Sequence, residues 1–135
     1  MSRLRLTSQR FLFLRLLSLS LVVGALYDLS FAALMVLAPQ LPAKILGLPL
    51  PGEAFYLWLM AVFLLMLAGL YILAAREPRR YSAVILVAIG GRFLGAVAFA
   101  AAAFGNPDLG GLYPLAAADL LFAIAHAAFW GPIRS

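Results

Sequence analysis

The chain has 135 residues, of which 66% are apolar and 11% charged, with no cysteine and a formal net charge of +5, and its mean hydropathy is +1.06. That composition excludes a water-soluble domain and fits a polytopic membrane protein with room for four spans and short loops. The absence of cysteine excludes disulfides, thiol redox chemistry and thiolate metal sites together. The basic residues sit at the ends of apolar runs, where they are topology signals and not a nucleic-acid surface.

Taken in order, Met1–Arg15 is basic and partly apolar, with Arg3, Arg5, Arg10 and Arg15 around Phe11–Leu14, and is expected to lie along the membrane surface as a short interfacial helix. The first span is predicted over about residues 16–38. A cleaved signal peptide is the rival reading, with Ser30-Phe31-Ala32 as a small-x-small site. The apolar run continues past that site to Pro39, which favours a span. Residues 39–53 form the longest connection, and Pro39, Pro42, Pro49 and Pro51 exclude a long helix there. One interfacial turn at Ala43–Leu48 is expected, with Lys44 in water.

The second span is predicted over about 54–75, with Tyr56, Trp58 and Tyr71 as an aromatic belt. The tight basic loop Arg76–Arg80 makes spans two and three antiparallel neighbours. The third span, about 82–104, ends at a turn of composition Gly105–Gly111. The fourth, about 112–131, is expected to stop at Pro132, with Trp130 as an interface anchor. The N-terminal segment, the second loop and the tail carry eight arginines, whereas the first and third loops carry only Lys44. The positive-inside bias then puts both termini in the cytoplasm. The expected fold is an all-α, antiparallel four-transmembrane-helix bundle forming one membrane domain, 1–135.

Four polar residues interrupt the apolar spans: Asp28, Arg92, Asp119 and His126. A central arginine on a lone span costs about 2.5–3.5 kcal/mol to insert, so Arg92 is expected to face other helices and to have an acidic partner. At about 1.5 Å rise per residue, Asp28 and Arg92 lie at similar depth, with Asp119 nearer the outer face. A guanidinium can bridge two carboxylates, and an Asp28–Arg92–Asp119 cluster inside the bundle is the expectation, with His126 deeper. The alternative is a buried salt bridge that fixes helix register and holds no ligand. Gly91 and Gly95 form a G-x-x-x-G beside Arg92, and Ser20, Gly24 and Asp28 share one small-polar face. Gly24, Gly91 and Gly95 are therefore candidate helix-packing positions. A single His without a neighbouring His or Cys is not a metal site, nor does it supply the paired axial ligands of a di-haem cytochrome. No cofactor is expected.

Several short motifs carry a resemblance: Tyr27-Asp28, Leu46-Gly47-Leu48-Pro49, Ala-Ala-Arg-Glu-Pro at 74–78, Gly90-Gly91-Arg92 with Gly95, and Ala118-Asp119-Leu120. In this order the chain resembles a group of small, functionally uncharacterised four-span bacterial membrane proteins, broadly DoxX-like in size and architecture. Those proteins typically read Asn-Asp where this chain has Ala118-Asp119. The resemblance implies fold and a bacterial cytoplasmic (inner) membrane location, and no activity.

The function expected from the sequence is that of an accessory subunit of a larger membrane complex, or of a lipid- or quinone-type small-molecule binder. A homo-oligomer is also open. The alternatives are a small proton-coupled transporter using Asp28 and, behind it, a membrane isomerase using Asp28, Asp119 and His126 as acid and base. No catalytic motif is present, and no nucleic-acid partner is expected.

Overall fold

The computed structural model describes residues 2–134, with side chains from Ser8 onward. It contains α1 (Ser2–Leu37), α2 (Gln40–Leu46), α3 (Ala54–Arg76), α4 (Ser82–Gly105) and α5 (Leu112–Arg134), with a 3-10 turn at Pro107–Leu109 and no strand among the described residues. Four of these helices are long and apolar enough to cross a membrane. Each is at least 23 residues, or about 35 Å at 1.5 Å per residue, against a hydrocarbon core of about 30 Å. The chain is an all-helical, integral membrane protein.

Which residues turn inward follows the helical repeat. On α1 the buried positions are Leu17, Leu21, Gly24, Ala25, Asp28 and Ala32, and on α5 they are Ala116, Asp119, Ala123, His126, Trp130 and Ile133. Steps of three and four keep each set on one face. Ten of the sixteen buried apolar residues are alanine, whereas Leu, Phe, Val and Met dominate the outer surface. Lipid is as apolar as leucine, so helices associate here through close packing of small residues and through polar contacts.

α3 packs most extensively on α1, and α4 on α5; α1 also meets α5, while α3 and α4 touch less. α1 and α4 thus lie across the bundle from each other. The basic loop does join α3 to α4, yet their shared contact is the slightest of the four sides. Hairpin connectivity therefore does not set the main pairing. The alanine faces of α1 and α3, with Ala25 and Ala68 in one core, allow the closer approach.

Four further expectations are corrected. α1 is continuous from Ser2, with no break between an interfacial segment and the span; of that N-terminal segment, Met1 lies outside the described residues. No proline interrupts residues 2–37, so nothing forces a bend at Arg15. The proline loop holds a two-turn helix, α2, because Pro39 and Pro42 fall at its start, where missing N–H groups cost nothing. Pro132 lies inside α5, which runs on to Arg134. Gly131 before it has no Cβ to meet the proline ring, which relaxes the usual block on helix at that position. Tyr71 is 3% exposed and Trp130 is 7% exposed, so neither is an interface anchor; both pack in the core, while Tyr56 and Trp58 remain on the surface.

The bundle is not uniform along its length. Its main cluster of large buried side chains comprises Leu17, Leu21, Tyr71, Ile85, Trp130 and Ile133, all between Arg92 and the end bearing the termini. Between Arg92 and the opposite end the fully buried apolar residues are alanines, namely Ala32, Ala61, Ala96, Ala103 and Ala116. Larger side chains there, among them Phe31, Met35, Leu64, Phe99 and Leu115, are only partly buried and border a void.

Candidate functional site

Arg92 reaches across the bundle from α4. Its Nη2 donates to Asp28 Oδ1 on α1 at 2.7 Å and to the Gly24 carbonyl at 3.4 Å, and its Nη1 donates to Asp119 Oδ1 on α5 at 2.6 Å. The side chains of Arg92, Asp28 and Asp119 are 7%, 0% and 10% exposed. Hydrogen bonds between ionised groups are the strong ones, and in a low-dielectric interior they hold three helices in register. Three rings surround the guanidinium, with Cζ 5.0 Å from the centre of Phe122, 5.3 Å from Tyr71 and 5.4 Å from Tyr27. Their π-faces add cation stabilisation where water is excluded.

The bonding is incomplete. Asp28 Oδ2 and Arg92 Nε are buried with no hydrogen-bond partner. Asp119 uses Oδ1 for Arg92, and its Oδ2 lies against Gly95. Two carboxylates against one guanidinium also leave a formal charge of −1. Unused acceptors and an uncompensated negative charge are costly at this depth.

The void above the ion pairs is a cavity of about 250 Å³. Its floor is Asp28, Arg92 and Asp119, its walls include Phe31, Met35, Leu64, Phe99 and Leu115, and its mouth is formed by α2 and the prolines after it. Apolar walls with a few converging polar groups at one end are the usual makings of a small-molecule site. The mouth is held by close backbone packing: a Cβ on Gly111 would collide with the Leu46 carbonyl and lie 3.2 Å from Leu48. Gly47, at φ +63°, closes α2 in the left-handed region that favours glycine.

Of the residues singled out in the sequence, Asp28, Arg92 and Asp119 are brought together and His126 is not bonded to them. His126 is fully buried on the solid side, its ring 6.0 Å from those of Tyr71 and Phe122. Among the described residues no cluster of His, Cys, Asp and Glu is placed to hold a metal ion. The glycines divide. Gly24 is buried beside Arg92 and Tyr71, and Gly95 faces Asp119, where a Cβ would lie 2.6 Å from Oδ2. Gly91 is exposed with open space around it, so no helix of this chain packs on it; it lies one residue off the buried line of Ala88, Arg92 and Ala96. Tyr71 and Phe122 were missed as site residues. Phe122 stands three residues after Asp119 and four before His126, a helical spacing that places it on their face.

Comparison with family models, with curated proteins and with solved structures finds no match.

Proposed function

We propose that this small membrane protein binds a small amphipathic molecule in the cavity between α2 and Arg92, with the ligand's head on the ionic floor and its tail along the apolar wall. The observation that carries this is a cavity whose lining includes Asp28 and Arg92, both of which hold buried polar atoms with no partner. A salt bridge that only fixed register would be served equally well by a filled core on both sides.

The solid half below Arg92 favours binding over passage: Leu17, Leu21, Tyr71 and Ile85 fill the path that a transported molecule would take. The lack of a catalytic motif favours a binder over an enzyme. The arginine bias further supports an orientation with both termini cytoplasmic and the cavity mouth on the outer face. A DoxX-like identity and a bacterial inner membrane are part of the same proposal, supported by the short motifs and by four spans of this size.

Extraction from the native membrane in mild detergent, followed by native mass spectrometry, tests the proposal. One retained small molecule per chain is expected, lost in Leu115→Trp, which fills the cavity. A stoichiometric protein partner with an empty cavity would instead make the chain an accessory subunit and Arg92 a structural residue.

A further inference from the structure

The floor of the cavity is chemically one-sided. Arg92 commits Nη1 and Nη2 to the carboxylates, and its Nε is a single buried donor against two unused carboxylate oxygens. What remains free is acceptor capacity: Oδ2 of Asp119, whose residue is 93% buried and lines the cavity, and Oδ2 of Asp28, fully buried behind it. The charges sum to −1. A carboxylate or phosphate head would raise this to −2 or beyond in a low-dielectric site, and a ketone or quinone carbonyl would set acceptor against acceptor. With both carboxylates ionised, a donor-bearing cation satisfies the free oxygens and the charge together.

Position reinforces this. The space occupied by Asp119 Oδ2 exists because residue 95 is glycine; any side chain there would meet this oxygen. The cavity volume of about 250 Å³ corresponds, at about 30 Å³ per water-sized group, to about eight non-hydrogen atoms. Apart from the floor the wall offers almost nothing polar, so one polar head and a short aliphatic or aromatic body exhaust what the cavity can recognise.

Resting on the binding function proposed above, we propose that the ligand is an amphiphilic primary amine, its ammonium donating to Asp119 Oδ2 and compensating the excess negative charge of the Asp28–Arg92–Asp119 centre. Octylamine, octanoate and 2-octanone match one another in length and differ in head. Each is offered at the same concentration to the intact protein in mild detergent, and retention is counted by native mass spectrometry. One octylamine per chain is expected, retained about tenfold more than either competitor, as one hydrogen bond to a charged group implies. Asp119→Asn lowers amine retention about tenfold without lowering that of the ketone, and Leu115→Trp abolishes amine retention.

Preferential retention of octanoate or 2-octanone in a manner sensitive to Leu115→Trp would overturn the amine assignment while leaving a ligand cavity in place. Retention of none of the three would overturn both. Amine retention that survives Leu115→Trp is adsorption elsewhere and overturns the assignment as well. The comparison among the three heads is made on the unaltered protein, so it stands even if Asp119→Asn does not fold.

Discussion

Arg92 decides what its neighbours are able to be. Its two carboxylate partners come from helices far apart in the sequence, 64 and 27 residues away, so the centre forms only when three helices are assembled. Removing one member of a buried ion pair costs about 3–5 kcal/mol because the other charge is stranded. Arg92→Met is therefore expected to be better tolerated in an Asp28→Asn background than alone, with a coupling of about 1–3 kcal/mol in a double-mutant cycle of detergent unfolding. Additive losses would sink the pair. Gly95→Ala should displace the Asp119 carboxylate and cost stability on the scale of a broken buried bond, about 1–3 kcal/mol. Gly91→Ala, in open space, should be neutral or stabilising by up to about 1 kcal/mol through helix propensity. Thermal unfolding of the two variants side by side separates them. The three charges were legible in the sequence because each interrupts an apolar run. Tyr27, Tyr71 and Phe122 were not legible as a cage, since an aromatic residue in a membrane helix reads the same whether it faces lipid, interface or core.

At the scale of elements, every span boundary but the start of the first was legible to within a few residues, because the arginine, proline and glycine clusters that end apolar runs are local signals. Pairing was not. The basic loop between α3 and α4 pointed to close neighbours, but the small faces of α1 and α3 prevail over connectivity. Pro132 was expected to end α5, and the glycine before it lets the helix continue. α2 was read as a single turn because its prolines were taken as breakers; two of them occupy positions where a helix tolerates them. Gly111 ties α2 to the start of α5 at the cavity mouth. Gly111→Val is therefore expected to displace α2 with the four spans intact, read as faster amide exchange confined to residues 40–48, with no change in the exchange of Leu17 or Ile85. Uniform loosening of all helices would show that the contact holds up the bundle and not the lid.

Over the whole molecule the division is between a half filled by large buried side chains toward the termini and a half whose fully buried apolar residues are alanines and which holds the cavity under α2. No hydropathy pattern distinguishes these halves, since alanine and leucine are equally compatible with a span; the difference is one of volume on facing walls, visible only once the helices are placed. Orientation is a separate question with a separate answer. The chain has no cysteine, so Lys44→Cys and Arg79→Cys each carry the sole thiol. Lys44→Cys is expected to react with a membrane-impermeant maleimide in intact cells, and Arg79→Cys only after permeabilisation. The cavity itself is tested by two neighbouring positions at the same depth: Leu64, on the cavity wall, and Leu65, 57% exposed on the outer surface. Both lie about 15 Å from the N-terminal end of α3 at 1.5 Å per residue. Cysteine at 64 is expected to react with a small charged methanethiosulfonate added from the outside, and cysteine at 65, facing lipid, is not. Equal protection of both, or reaction of Leu64→Cys only from the cytoplasmic side, would contradict an outward-opening cavity floored by Asp28, Arg92 and Asp119.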